Sequence, residues 1–209
     1  MQDRTQGMKN SRGQSLVETA IMLPLMLFLV LNGVNFGYFF LMMVNLTGAS
    51  RSAATYSIEG SATPAATPWP PSGSSTNNLA GTSSVSYLAY QDMTGAIGSP
   101  TGASVQVCSP ININGSNSGV NGTGANLKSN CVTCTGNTCG SVGTGSPVPS
   151  ADPEAPKFVL NRVDILYTFT PIIPGAPFNI ALLASPACTL GGGGSVTCIF
   201  RRTAQMRAM

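Results

Sequence analysis

The stretch RGQSLVETAIMLPLMLFLV, Arg12–Val30, decides the fold. It opens on a cation, carries one carboxylate, Glu18, and is then almost wholly apolar. Working outward, no charged residue occurs between Glu18 and Arg51, and Asn32 and Asn35 are the main polar interruptions of Ala20–Val44. About 20 such residues cross the hydrocarbon of a bilayer, so the segment reads as a transmembrane helix. A secretory signal peptide has an apolar core of only about 7 to 15 residues. This run is too long for one, although Ala49–Ala54 supplies small residues that imitate a cleavage site. Continued to Ile58, about 45 helical residues at about 1.5 Å each would reach roughly 65 Å, so the helix is expected to project beyond the membrane as a stalk. Pro24 lacks a backbone donor and is expected to kink or loosen the first turns.

Arg4, Lys9 and Arg12 precede the helix against one acid, Asp3. The positive-inside bias places that end in the cytoplasm and the bulk of the chain, from about residue 46, on the far side of the inner membrane, periplasmic or extracellular. Six cysteines, Cys108, Cys131, Cys134, Cys139, Cys188 and Cys198, all follow the apolar run, as expected for an oxidising compartment. They are read as disulfide candidates, with Cys188 and Cys198 as the preferred pair because they would staple a hairpin across the glycine run 191–194. Cys131-x-x-Cys134 has zinc spacing, but the chain has no histidine and a fourth ligand would have to be a distant cysteine. No metal or other cofactor is expected.

Of 209 residues only 8% are charged, and the net charge of +3 comes from small clusters near the ends. This excludes a broad basic face, and with it nucleic acid as a partner. Acids beyond the helix are few (Glu59, Asp92, Asp152, Glu154, Asp164), and without histidine there is no ordinary base. No phosphate loop or nucleophile elbow is present. The chain is therefore expected to be neither an enzyme nor a binder of a small-molecule substrate.

Within the apolar run, Gly33 and Gly37 form a GxxxG pattern that admits a second backbone, and Asn32 and Asn35 are expected to bond across such a helix contact. At its head, Gly13-Gln14-Ser15-Leu16-Val17-Glu18 places glycine five residues before glutamate, behind a short basic leader. This resembles the processing site of type IV prepilins and pseudopilins, which a membrane prepilin peptidase cuts after the glycine. Cleavage would make Gln14 the new terminus and Glu18 the fifth residue. A freed α-amine is cationic below about pH 8, and a carboxylate at the edge of an apolar helix needs such a partner. In a staggered bundle the amine of one subunit would neutralise Glu18 of another.

Three separated segments narrow the resemblance. Arg12–Phe40 followed by Gly48–Ser57, then VDILYTFTPIIPG (Val163–Gly175), then RRTAQMRAM (Arg201–Met209), are together similar to the TadE-like family. That resemblance implies a membrane-anchored minor pilin, pseudopilin or assembly factor of tight-adherence (Flp-type) pilus machinery, with the bilayer and other pilin-like or pilus-assembly proteins as partners. Thr19 stands where an aromatic is common in the family, which leaves the processing pattern intact. The competing reading is a membrane-tethered adhesin or envelope-binding module whose Asn/Gly/Ser-rich loop contacts a surface.

Beyond the helix, apolar residues at Val85, Leu88, Ala89, Met93 and Ile97 predict a helix over 85–97, with Ser83 or Ser84 as cap. Alternation predicts strands over 103–108, 159–170 and 195–206. The expected fold is α+β: a long N-terminal transmembrane helix extending as a stalk, then a small exported domain of three or four antiparallel strands with one packed helix and a long disulfide-bearing loop. The expected boundaries are a cytoplasmic leader at 1–13, helix and stalk at 14–58, a Pro/Ser/Thr-rich linker with Trp69 at 59–82, and a domain at 83–209 with a loop insertion at 111–157.

Overall fold

Helix formers dominate the apolar run, and a helix satisfies every backbone donor and acceptor from within. The result is α1, Gly7–Ala62, a single helix of 56 residues that continues through Pro24. In the computed structural model, residues 7–62, 85–97, 102–109, 120–135, 138–139, 151 and 153–207 are described, with backbone alone at 7–12, 59–62, 94–97, 120–121 and 138–139. The leader expected at 1–13 is helical from Gly7 onward. The linker beyond residue 62, Trp69, Ser83 and Ser84 lie outside the described residues.

Two compact units divide the chain: Met1–Phe39 with Thr170–Cys198, and Phe40–Phe169 with Ile199–Met209. In the second unit, Met42, Leu46, Ala49, Ser50, Ala53, Ala54 and Ser57 of α1 are buried. Their spacing of three and four residues is one helix face. The extension expected as a stalk therefore supplies a wall of this unit's core, and its alanines and serines keep that wall close to its neighbours.

The second unit's sheet has the order β2-β3-β1-β5-β7, with β4 pairing β3. Its strands are β1 Ala103–Ser109, β2 Val120–Asn121, β3 Lys128–Thr135, β4 Thr138–Cys139, β5 Asn161–Phe169 and β7 Val196–Met206, the last from Ile199 onward. β1 runs antiparallel to both β3 and β5, setting Val105 opposite Cys134 and Ile165. Helix α2, Val85–Ile97, has the bounds read from its periodicity. It buries Val85, Ala89, Tyr90 and Met93. The Tyr90 hydroxyl donates to the carbonyl of Cys134 at 2.8 Å, which ties α2 to β3. Each fully buried apolar side chain contributes about 2 kcal/mol, and Met42, Leu46, Val85, Met93, Val105, Val107, Val132, Val163, Ile165 and Phe169 are all fully buried.

The segment expected as a loop insertion at 111–157 needs correcting over Lys128–Thr135, which is the strand between β1 and β2. Its Asn, Ser, Thr and Gly surroundings hide the alternation, but β1 supplies a complete ladder and a covalent tie. Cys108 and Cys131 are directly opposed and form a disulfide with a Cα–Cα distance of 4.0 Å. Cys134 is also disulfide-bonded, and its position opposes Cys139 in the β3–β4 pairing. The sheet thus has more strands than the three or four expected.

In the first unit, β6, Cys188–Leu190, pairs antiparallel with the start of β7 and aligns Cys188 with Cys198. Those two form the expected disulfide. The hairpin turns through Gly193 and Gly194, whose φ values of 76° and 78° lie in the left-handed region that side chains disfavour.

One buried charge organises the β5–β7 edge of the second unit. Asp164, 3% exposed, pairs ionically with Arg162, whose Nε lies 2.9 Å away, and accepts from Arg201 Nη2 at 3.0 Å and from the Thr203 hydroxyl. Asp164→Ala leaves Arg162 without its buried counter-charge and is expected to cost about 3 kcal/mol, read by denaturant unfolding in detergent. The double change Cys188→Ser with Cys198→Ser opens a short loop and is expected to cost about 2.7 kcal/mol in the same assay, against about 3.4 for Cys108→Ser with Cys131→Ser, whose closed loop is longer.

Candidate membrane-assembly site

The head of α1 is bare. Leu16, Val17, Ile21, Met22, Leu23, Leu25, Met26, Leu27, Leu29 and Val30 are each more than half exposed, as only a surrounding apolar solvent or other chains would leave them. Among the described residues, α1 is the one helix long and apolar enough to cross a membrane, with a mean hydropathy of 1.9 over its most apolar window, none of it buried.

Gly13, Gln14 and Glu18 lie on the first described turns of this bare helix. A side chain at Gly13 would meet nothing within 4 Å. Gln14 Nε2 donates to Glu18 Oε1 at 3.2 Å, and the Thr19 hydroxyl donates to the carbonyl of Ser15 at 2.8 Å. Glu18 is exposed, and among the described residues no cation pairs with it. In water such a carboxylate is merely solvated; at the edge of a bilayer it is a half-satisfied group awaiting a donor.

Gly33 and Gly37 are also open, with nothing within 4 Å of a side chain added at either. Asn32 and Asn35 behave differently from the expectation that they bond across a glycine contact. Asn35 is fully buried, and its Nδ2 donates to the carbonyls of Ile173 at 3.0 Å and Phe178 at 3.2 Å and to Asn179 Oδ1 at 2.8 Å. Its Oδ1 accepts from the Ile173 N–H at 3.1 Å. Asn32 Oδ1 accepts from the Ile180 N–H at 3.1 Å, while its Nδ2 donates to the carbonyls of Phe28 and Pro177. The reason is angular: at about 100° per residue, Asn35 sits about 200° from both Gly33 and Gly37. Its side chain therefore cannot share their face. The glycine face stays open, and the asparagine face is occupied by the chain's own segment.

That segment, absent from the sequence-derived site, is PIIPGAPFNIALL, Pro171–Leu183. A 3-10 turn at Ala176–Asn179 leads into the short helix α3, Ile180–Leu183. Gly175, with φ of 105°, turns the backbone so that its carbonyl accepts from Asn179 Nδ2 at 2.7 Å. Asn179 is thereby aimed at Asn35. Phe178 packs on Phe28 with ring centroids 6.5 Å apart. Asn35, Asn179 and two irregular carbonyls satisfy one another within an apolar setting, as buried polar groups require. The signal available beforehand was an asparagine in each of two uncharged segments, far apart in the chain.

Two of the acids considered for chemistry have structural roles. Asp164 is held by arginines, and Glu154 pairs with Arg207, which stacks over the Phe158 ring at 4.3 Å. Asp152 lies outside the described residues.

Residues 13–55 match the family model described as TadE-like protein. The match begins at Gly13, spans the bare helix and its glycine face, and ends among the small buried residues of the second unit's wall. No curated protein and no solved structure matches the chain.

The paired carboxamides make a direct prediction. Asn35→Ala removes an acceptor and a donor from buried groups, and a loss of about 2 kcal/mol, or about thirtyfold in local opening, is expected. Hydrogen exchange should quicken by that factor at Ile173, and Asn32→Ala should do the same at Ile180. Unchanged exchange at both amides would show that these contacts do not hold the segment.

Proposed function

From the TadE-like head at residues 13–55 we propose that this protein is a single-pass, membrane-anchored component of tight-adherence (Flp-type) pilus machinery, acting as a minor pilin, pseudopilin or assembly factor. The family implies association with that pilus, and the observation that carries the finer reading is the bare apolar helix bearing one carboxylate that no described cation pairs with. The helix crosses the inner membrane with its basic N-terminal side in the cytoplasm, and the disulfide-bearing sheet lies on the oxidising side.

Assembly on this reading works by helix packing rather than turnover. The open face at Gly33 and Gly37 admits a neighbouring helix closely. Glu18 rewards one register of that packing, the one that brings a neighbour's α-amine to its carboxylate in low dielectric. Cleavage after Gly13 by a prepilin peptidase would create such an amine at Gln14. The scissile bond lies within α1, so the peptidase must first unwind the turn around Gly13. Glycine lowers that cost.

Intact-mass measurement of the membrane-expressed chain, with and without a prepilin peptidase, tests the processing step. A chain starting at Gln14 is expected only with the peptidase; a chain that keeps its leader in both cases rules out the processed form and leaves the assembly factor. Glu18→Ala is expected to leave membrane insertion intact and to lower incorporation into, or support of, the pilus by tenfold or more, since a buried unpaired amine costs upward of about 1.4 kcal/mol. Normal pilus assembly by that variant would reduce Glu18 to an interfacial charge.

A further inference from the structure

We propose that Pro171–Leu183 is a lipid-facing wedge that sits in the outer rim of the bilayer beside α1, so that the first unit holds the membrane by a helix and a loop together. The proposal rests on the bilayer crossing proposed above.

Depth gives the first argument. Counting from Glu18 at the membrane edge, Phe28 lies about 15 Å along the helix and Asn35 about 26 Å, while the hydrocarbon is about 30 Å thick. Phe28, Asn32 and Asn35 are the residues that hold the segment. Asn32 and Asn35, about 21 and 26 Å along, fasten the segment in the outer part of the acyl chains, where water is scarce, and the Phe178 ring reaches inward toward Phe28 near the mid-plane.

Composition gives the second. No charged residue occurs between Asp164 and Arg201, an unusual silence for an exposed stretch of that length. Ile172 and Ile180 are nevertheless 59% and 57% exposed. Both flank the asparagine contacts, and the helix residues nearest in sequence to those contacts, Leu29, Val30 and Val34, are exposed too. Helix and loop, which belong to one unit, thus both expose apolar side chains.

Backbone chemistry gives the third. Irregular backbone is tolerated at membrane depth only where its polar groups are satisfied by protein. Asn32 and Asn35 do this for the Ile173 and Ile180 amides and for the Ile173, Pro177 and Phe178 carbonyls, while Asn179 takes the Gly175 carbonyl. In water these groups would find partners without help, so one buried and one half-buried asparagine in an apolar helix, Asn35 and Asn32, answer a need that lipid creates. The occupant of the exposed isoleucines is therefore the acyl region of the outer leaflet rather than a second protein.

The test uses the full chain in a Trp69→Phe background, reconstituted into phosphatidylethanolamine/phosphatidylglycerol vesicles with and without lipids brominated high on the acyl chain, and with a second set brominated near the chain end for the deeper position 27. Ile172→Trp and Ile180→Trp should be quenched by the brominated lipid several-fold more than Ile199→Trp, a control at an exposed isoleucine on β7 of the other unit. Leu27→Trp reports the crossing itself. If Leu27→Trp is quenched while Ile172→Trp and Ile180→Trp behave like the control, the wedge is wrong and the crossing stands. If Leu27→Trp is not quenched, the crossing and the wedge both fall. Blue-shifted emission at 172 and 180 without bromine quenching would mean a protein covers them, which also overturns the proposal.

Discussion

Among the described residues the head of α1, Leu16–Val30, buries almost none of its apolar surface, and that constraint shapes the rest of the molecule. From Leu16 to Val30 the helix exposes nearly every large apolar side chain, whereas from Met42 to Ser57 the same helix buries one face in a folded unit. One continuous helix is therefore built for two solvents. Each half would be unstable in the other's surroundings: the bare half would aggregate in water, and the half with Arg51 and a serine- and alanine-rich face would gain little from lipid.

On the proposed crossing, polar groups mark the edges between those surroundings. Glu18 stands at one edge with only Gln14 as a described partner, and Asn32 and Asn35 stand near the other, both engaged by Pro171–Leu183. The contrast separates their roles. A carboxamide satisfied within the chain fixes local structure; a carboxylate left open is available to a neighbour. Gly33 and Gly37 are open and on the side away from Asn35, where the proposed assembly would bring a neighbouring helix. Farther along, disulfides between directly opposed strand positions and the Asp164 arginine cluster make the two units resistant to local opening.

Much of this was legible in the residues because it rests on local periodicity. The apolar run, the helix at 85–97, the strands holding Val105, Ile165 and Phe200, and the Cys188–Cys198 staple all follow from spacing within one element or one hairpin. Non-local features were not. β3 is composed of polar and small residues that favour loops, and only its ladder with β1 and the Cys108–Cys131 bond make it a strand. Asn35 looked like part of the glycine contact because it is adjacent in sequence, and only the helix rotation shows that it faces the opposite way. Asp164 depends on Arg201 and Thr203, far along the chain, and no pattern around Asp164 announces them.

In the proposed assembly Glu18 is a partner charge for a second subunit inside an apolar helix bundle. Zero-length carbodiimide coupling of assembled pilus material, followed by peptide mass analysis, addresses it most directly. The account predicts an amide bond between the Glu18 carboxyl and an α-amine of another subunit, formed even in the presence of excess soluble amine. Glu18 coupled only to the soluble amine would contradict it, because the carboxylate would then be facing water in the assembled state.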